Sequence, residues 1–369
     1  MSIKFEDYFG TIDDPRSLRN QKYPLIMLIG TTLLVFLSGI DNFSGISEFI
    51  EAHQDDSEKY FEFTYGAPSH DTYQRLWSAI NPEQFKECFV LFTESIARIG
   101  QQYDILSLDG KTIRNSGEGK TIALSICMVW SQWNGLGQQK LDNKSNEITA
   151  IPKLLDILDL ADRIVTIDAM WAQRDICRKI RLKGSYYLIS LKGNQGNLYN
   201  DVKDYFEDNE LQKLCYSFSE IDKGHGRIEN RTAYVTNDID WLQEFDDWPG
   251  LKSIAMVVFE VQKGDKISKE VRFYISSLPA DPKLINKAAR AHYGIENKLH
   301  WRLDVVFNED KCCIKNDNAA ENMDILRKWA LNILQKAKEK QEQSIKSLMR
   351  KNSMSFKHLT KVMQKIFHA

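Results

Sequence analysis

Asp104–Arg114 reads DILSLDGKTIR, a strand pattern with Asp109 set among Ile105, Leu106 and Leu108 and with Gly110 close behind it. Fifty-nine residues after Asp109, the run Arg163–Met170, RIVTIDAM, is continuously apolar up to Asp168, as suits a strand in the middle of a sheet. A carboxylate in such a strand is costly to bury unless it is paired or binds metal. If the two strands are neighbours, Asp109 and Asp168 converge on one point. Two carboxylates that close repel each other unless a cation sits between them. Mg²⁺ suits that position, since one or two carboxylates hold it while water and phosphate oxygens complete its shell. Against this stands a plainer reading, in which an Asp at a strand end caps the turn that follows.

Working outward, TIALSICMVWSQW and LGQQKLDNKS read as two strands joined at Asn134-Gly135, a hairpin signal. Ile148–Leu160 reads as a helix, with Pro152 tolerable only in its first turn. A helix over Ala172–Leu182 and the strand SYYLISLKG follow Asp168. Three strands, helix, strand, helix, strand make a mixed α/β sheet. Residues 211–280 carry the β-like segments RTAYVTN, SIAMVVFEVQ and EVRFYISS, which read as an antiparallel insertion or a sheet extension. Helical texture precedes residue 104 and resumes from Pro282. The expected organisation is a helical N-terminal domain (1–103), the first part of the core (104–210), the β-rich segment (211–280), a helical completion of the core (281–340) and a basic helical tail (341–369).

The chain has 369 residues, 43% hydrophobic and 27% charged, and a net charge of −2, so its bulk composition announces no nucleic-acid binder. The charge is unevenly spread. Met1–Asp104 holds 8 Lys/Arg against 16 Asp/Glu, and Lys311–Ala369 holds 13 against 5. The basic end could lie along phosphates or be a solvated helix face. The six cysteines lack CxxC spacing, which argues for a reducing compartment and against structural zinc. The opening MSIKFEDYFG lacks a secretory pattern, and the apolar run Pro24–Ile40 falls short of roughly 20 residues. The expectation is therefore a buried helix, no membrane span and a cytoplasmic protein.

A third carboxylate on a helix packed beside the sheet would complete a two-metal site. Ala288–Phe307, AARAHYGIENKLHWRLDVVF, supplies Glu296 among Tyr293, Ile295, Leu299 and Trp301, with Asp304, Glu309 and Asp310 as rivals. Two Asp on strands and a Glu on a later helix form the ribonuclease-H-like constellation. His292, Glu296 and His300 stand four apart, but His292 and His300 are roughly 12 Å apart along a helix, which suits a surface stripe better than one zinc ion. Gly224–Arg227 starts a strand with Arg227, Glu229 and Arg231 on one face, either a phosphate grip or a salt-bridged surface. Lys192-Gly193-Asn194 is either an ordinary turn or a phosphate-facing one, and Lys111 and Arg114 carry the same two readings.

Several segments together resemble one family. They are DPR (14–16), PSHDTYQRLW (68–77), LDGKTIR (108–114), KSNEITAIPKLL (144–155), VTIDAMWAQ (165–173), LKGNQ (191–195), GHGRIENR (224–231) and HYGIENKLHWRLDVVFNED (292–310). The set is similar to the H-repeat-associated (ISAs-type) bacterial insertion-sequence transposases of the DDE superfamily. The resemblance implies an α/β, ribonuclease-H-like core in which Asp109, Asp168 and Glu296 are the catalytic, metal-holding triad for two Mg²⁺ or Mn²⁺ ions. It implies cleavage and strand transfer on DNA, at terminal inverted repeats and a target duplex, by a homodimer or larger assembly acting at the nucleoid. Lys111, Arg114, Lys192, Asn194, Arg227, Arg231, Lys298 and Arg302 are the candidate DNA contacts. One departure stands out: four residues before Glu296, where a broader related group carries Arg, this chain has His292. A catalytically silent DNA-binding descendant, or a nuclease of the same fold without strand transfer, are the alternatives.

Overall fold

The computed structural model describes residues 5–96, 103–112, 125–131, 135–141, 147–224, 226–312, 314, 317–340 and 342–367. Among these residues nine strands form one sheet: β1 (Ile105–Thr112), β2 (Ser125–Trp130), β3 (Gly135–Leu141), β4 (Ile164–Ile167), β5 (Tyr186–Leu191), β6 (Tyr216–Gly224), β7 (Arg227–Thr236), β8 (Ser253–Lys263) and β9 (Lys266–Ser276). Their order is β3-β2-β1-β4-β5-β9-β8-β7-β6. β1, β2 and β3 pair antiparallel, while β1, β4 and β5 run parallel. The first five strands thus make a ribonuclease-H-like core.

Burial explains the middle of that order. All four residues of β4 are buried, so the strand needs a neighbour on each edge and cover on each face. The parallel step from β4 to β5 requires a crossover, which the helix Arg174–Leu182 supplies by burying Ile176, Cys177 and Ile180. The β-rich segment continues the same sheet, because β9 pairs antiparallel with β5 from Leu188↔Ser276 to Leu191↔Phe273. Its outer ends have exposed strand residues, as in β6 and the first half of β9.

Pro152 lies inside the helix Glu147–Asp156 rather than in its first turn, which leaves the Ile148 carbonyl without its usual helical donor. The apolar run forms the helix Leu25–Phe36, buried from Met27 onward. Its polar side chains are satisfied inside the core: Thr31 Oγ1 donates to the Met27 carbonyl at 2.8 Å, and Thr32 Oγ1 accepts from Trp77 Nε1 at 3.1 Å. Among the described residues no helix is long and apolar enough to cross a membrane. The helices of the two chain ends share one core. At its centre the Trp329 ring packs against Phe9, Phe85, Phe89 and Phe92, with centroids 4.8–5.6 Å apart.

Candidate active site

The register of β1 and β4 pairs Leu108 with Ile167, so Asp109 and Asp168 are the next residues on two parallel neighbours. Strands in a sheet lie roughly 4.8 Å apart, and this register sets the two aspartates side by side. Asp109 Oδ1 accepts from the Gly110 amide at 2.8 Å. Asp168 caps the turn Ala169–Trp171, accepting the Ala169 amide at 2.8 Å, the Ser190 hydroxyl from β5 at 3.0 Å and the Lys192 ammonium at 3.2 Å. Burial alone would raise the Asp168 pKa, but these donors outweigh it and hold the carboxyl below its ordinary range. Asp168 is both a capping residue and a fixed anion, so the plain and functional readings of that position coincide. The turn behind it is stapled from the next loop, where Asn194 Nδ2 and Gln195 Nε2 donate to the Ala169 carbonyl at 2.9 and 2.6 Å.

Across this pair runs the helix Pro282–Gly294, started by Asp281, whose carboxylate accepts the Lys283 and Leu284 amides. Ile285, Ala288 and Ala289 are buried, and the helix packs on β1 and β4. It passes into a π-helical turn, Ile295–His300, and then the short helix Trp301–Val305. Such wide turns leave the regular hydrogen-bond ladder and often mark functional positions. Ile295 lines the same cleft as Asp109 and Asp168, and His300 Nδ1 lies 3.8 Å from Asp109 Oδ2. The backbone of Glu296 therefore lies between two residues that face the aspartates. Its side chain is outside the described residues.

His292 and His300 do not form a zinc stripe. His292 Nδ1 bonds Thr166 Oγ1 at 3.0 Å, on β4, while His300 faces β1. Burial lowers both imidazole pKa values to about 4, so both are neutral near pH 7. Among the described residues no three His, Cys, Asp or Glu side chains form a metal-binding group. Two of the rivals to Glu296 are engaged elsewhere: Asp304 and Glu309 both pair with the Lys111 ammonium. Asp304, Glu309 and Asp310 are absent from the lining of the aspartate cleft.

With this geometry in view, comparison with known proteins gives a consistent result. Residues 100–333 match the family described as "Transposase DDE domain", and residues 6–93 match "DDE_Tnp_1-associated". The chain belongs to the DDE transposase family. It is 36% identical to "H repeat-associated putative transposase YhhI" of Escherichia coli (strain K12), covering 98% of this chain and 97% of that protein. It is 38% identical to "Putative transposase YncI" of Escherichia coli O157:H7, over 90% of this chain and 87% of that one. A solved structure, a piggyBac transposase synaptic complex with hairpin DNA, aligns with a TM-score of 0.44 and 12% identity, covering 98% of this chain and 77% of that one.

Two clefts of the transposase, among the described residues, share a wall. The first, of about 520 Å³, holds Asp109, Asp168, Ser190, Lys192 and His292. The second, of about 720 Å³, lies between the outer strands and the helix Pro282–Gly294, and includes Arg227, Arg272, Lys287, Arg290 and Lys298. Glu270, Arg272 and Tyr293 line both. The Arg272 guanidinium sits 3.7 Å from the Tyr293 ring centroid and is tethered by Glu270 at 2.5 Å.

The candidate DNA contacts divide on this map. Lys192 is exposed at the rim of the first cleft, and Lys298 lines the second. Arg227 is half-exposed and paired with Glu229 at 2.6 Å. Arg231 also lines the second cleft, but it is 2% exposed, paired with Glu220 and Glu229, and lies over Phe259. The charge of Lys111 is spent on Asp304 and Glu309, and the Asn194 amide is used as a staple. Arg302 is half-buried and lines neither cleft. Arg114 and His225 lie outside the described residues. Sequence reasoning missed Arg272, Lys287 and Arg290. The alternation in EVRFYISS and the spacing in NKAARAHYG carried a signal for them, but not the knowledge that a sheet extension and this helix face each other.

Proposed function

We propose that this transposase cleaves DNA at insertion-sequence ends and joins the freed 3′ ends to a target duplex. The observation that carries the proposal is the side-by-side register of Asp109 and Asp168, with Asp168 held as a fixed anion by an amide, a hydroxyl and a lysine. The paired carboxylates fit a divalent cation. Asp109 and Asp168 would hold Mg²⁺ or Mn²⁺, with Glu296 completing the set for two ions. When bound, the metal supplies the Lewis acidity that activates an attacking oxygen and stabilises the leaving one.

The chain's own residues orient and clear the site. Ser190 and the Ala169 amide fix one carboxylate face. His292, kept neutral by burial, adds no competing positive charge. Lys192, exposed at the rim, is free to swing from Asp168 to a phosphate oxygen. Water attacks first, leaving a 3′-hydroxyl, which then attacks a target phosphodiester in line while a P–O bond breaks, with no covalent enzyme intermediate. The DNA backbone would run from the aspartate cleft into the basic cleft past Arg272, Lys287 and Lys298. A homodimer or larger complex, acting at the nucleoid in the cytoplasm, completes the proposal.

Asp168→Asn is expected to abolish Mg²⁺-dependent cleavage of terminal-repeat DNA while end binding, followed by gel shift, persists. Full cleavage by that variant would reject the assignment. Cutting by the unmodified protein that ignores terminal repeats and yields no joined product would mark a simple nuclease. Binding without cutting would mark a silent descendant.

A further inference from the structure

Lys111 follows Asp109 by two residues on β1, so both side chains leave the same side of the sheet. Its ammonium is only 10% exposed, and it pairs with two carboxylates from the segment that follows Glu296. One is Asp304, on the helix Trp301–Val305. The other is Glu309, 1% exposed, in the turn Glu309–Lys311. Burial would raise the Glu309 pKa, but Lys328 and Lys111 overcome it and hold the carboxyl below its ordinary range. Lys328 in turn pairs with the buried Asp324 on the helix Asp317–Ala337, and Gln138 of β3 donates to Asp324 at 2.6 Å. A run of charges, fully buried at Glu309, Lys328 and Asp324 and a third exposed at Asp304, therefore ties β1 to residues 304–309 and to the long helix behind them.

Buried ion pairs add little net stability, because desolvation cancels most of the attraction. They do penalise any arrangement that separates the partners. The segment being held follows directly on a π-helical turn, Ile295–His300, which takes in one residue more than a regular helical turn. A one-residue slip would rotate residue 296 by roughly 100° about the helix axis. Lys111 stands two residues from Asp109 and closes on Asp304, eight residues after Glu296, so it couples the two elements directly.

We infer that Lys111 is a positioning residue, not a DNA contact. By closing on Asp304 and Glu309 it sets the register of the π-helical turn, and so where Glu296 meets the Asp109–Asp168 pair. This rests on the assignment of Glu296 proposed above.

The test is a cycle on the full chain. It compares the charge-free variant Lys111→Met/Asp304→Asn/Glu309→Gln, Glu296→Gln, and their combination. Mn²⁺ affinity is read by electron paramagnetic resonance of the free ion. Single-turnover cleavage is read on terminal-repeat DNA, with end affinity and melting temperature recorded alongside. The charge-free variant is expected to keep end affinity but lose about 10–100-fold in Mn²⁺ affinity and in cleavage, the usual scale for groups that orient metal ligands. Glu296→Gln is expected to lose at least as much, and the combination no more than Glu296→Gln alone, because the two act through one group. Independent, multiplying losses, or wild-type behaviour of the charge-free variant, overturn the inference. If Glu296→Gln alone changes neither readout, the Glu296 assignment falls and the inference falls with it. Should the charge-free variant fail to fold, Lys111→Arg keeps the charge but alters the reach. It is expected to melt normally, bind ends normally and cleave about 10-fold slower. Wild-type cleavage by Lys111→Arg overturns the inference.

Discussion

Glu321, on the helix Asp317–Ala337, is 5% exposed, and its Oε1 finds no hydrogen-bond partner among the described residues. Burial first, with the nearby Glu83 adding to it against the pull of Lys140, raises its pKa from 4.5 to about 7. A raised carboxyl pKa means the folded state holds its proton where the unfolded chain has lost it. Stability from the protonated form is complete below pH 4.5 and is lost as pH climbs through about 7. Glu321→Gln is therefore expected to stabilise the protein by about 1–3 kcal/mol at pH 8 and to change little at pH 4.5, measured by urea unfolding at both values. Single residues differ in how far their letters reveal their roles. Asp109 and Asp168 were legible because a charge inside an apolar strand demands an explanation. Lys111 was not, since a basic letter reads the same whether its partner is a phosphate or a carboxylate from a distant segment. The partners of Lys111 lie 193 and 198 residues away.

At the scale of elements, periodicity located the strands and helices, and failed where one element changes character midway. The helix from Pro282 turns π-helical at Ile295, and nothing in the spacing of Tyr293, Ile295, Leu299 and Trp301 announces that. The helix Asp317–Ala337 is the other case. Its sequence carries three Lys/Arg and three Asp/Glu, yet residues 319–334 are buried, because the N-terminal helices cover one side and the sheet another. Trp329 is the point where they meet. Trp329→Ala is expected to cost about 3–5 kcal/mol by chemical denaturation, through lost burial and the cavity left behind. A loss below about 1 kcal/mol would mean the two chain ends do not share a core.

At the scale of the whole molecule, the basic cleft exists only because the sheet extension faces the helix Pro282–Gly294. In Lys298, burial and then the neighbouring cations Arg290 and Arg302 lower the pKa, as expected where positive potential accumulates. Lys287→Glu combined with Lys298→Glu should weaken DNA binding and flatten its dependence on salt. The slope of log affinity against log salt should fall by about 2 in fluorescence-anisotropy titrations. An unchanged slope would place the DNA path elsewhere.

Local order along the chain determined much of this protein. Short apolar runs located the strands that present Asp109 and Asp168, and ordered motifs pointed to the family, because both signals sit in neighbouring residues. Tertiary structure alone decided that the β-rich segment extends the central sheet and that both chain ends build one core. It also decided that Lys111 is neutralised by Asp304 and Glu309 while Arg272 and Lys287 line a cleft. Each of these depends on which distant surfaces meet, and pairing across hundreds of residues leaves no period in the sequence.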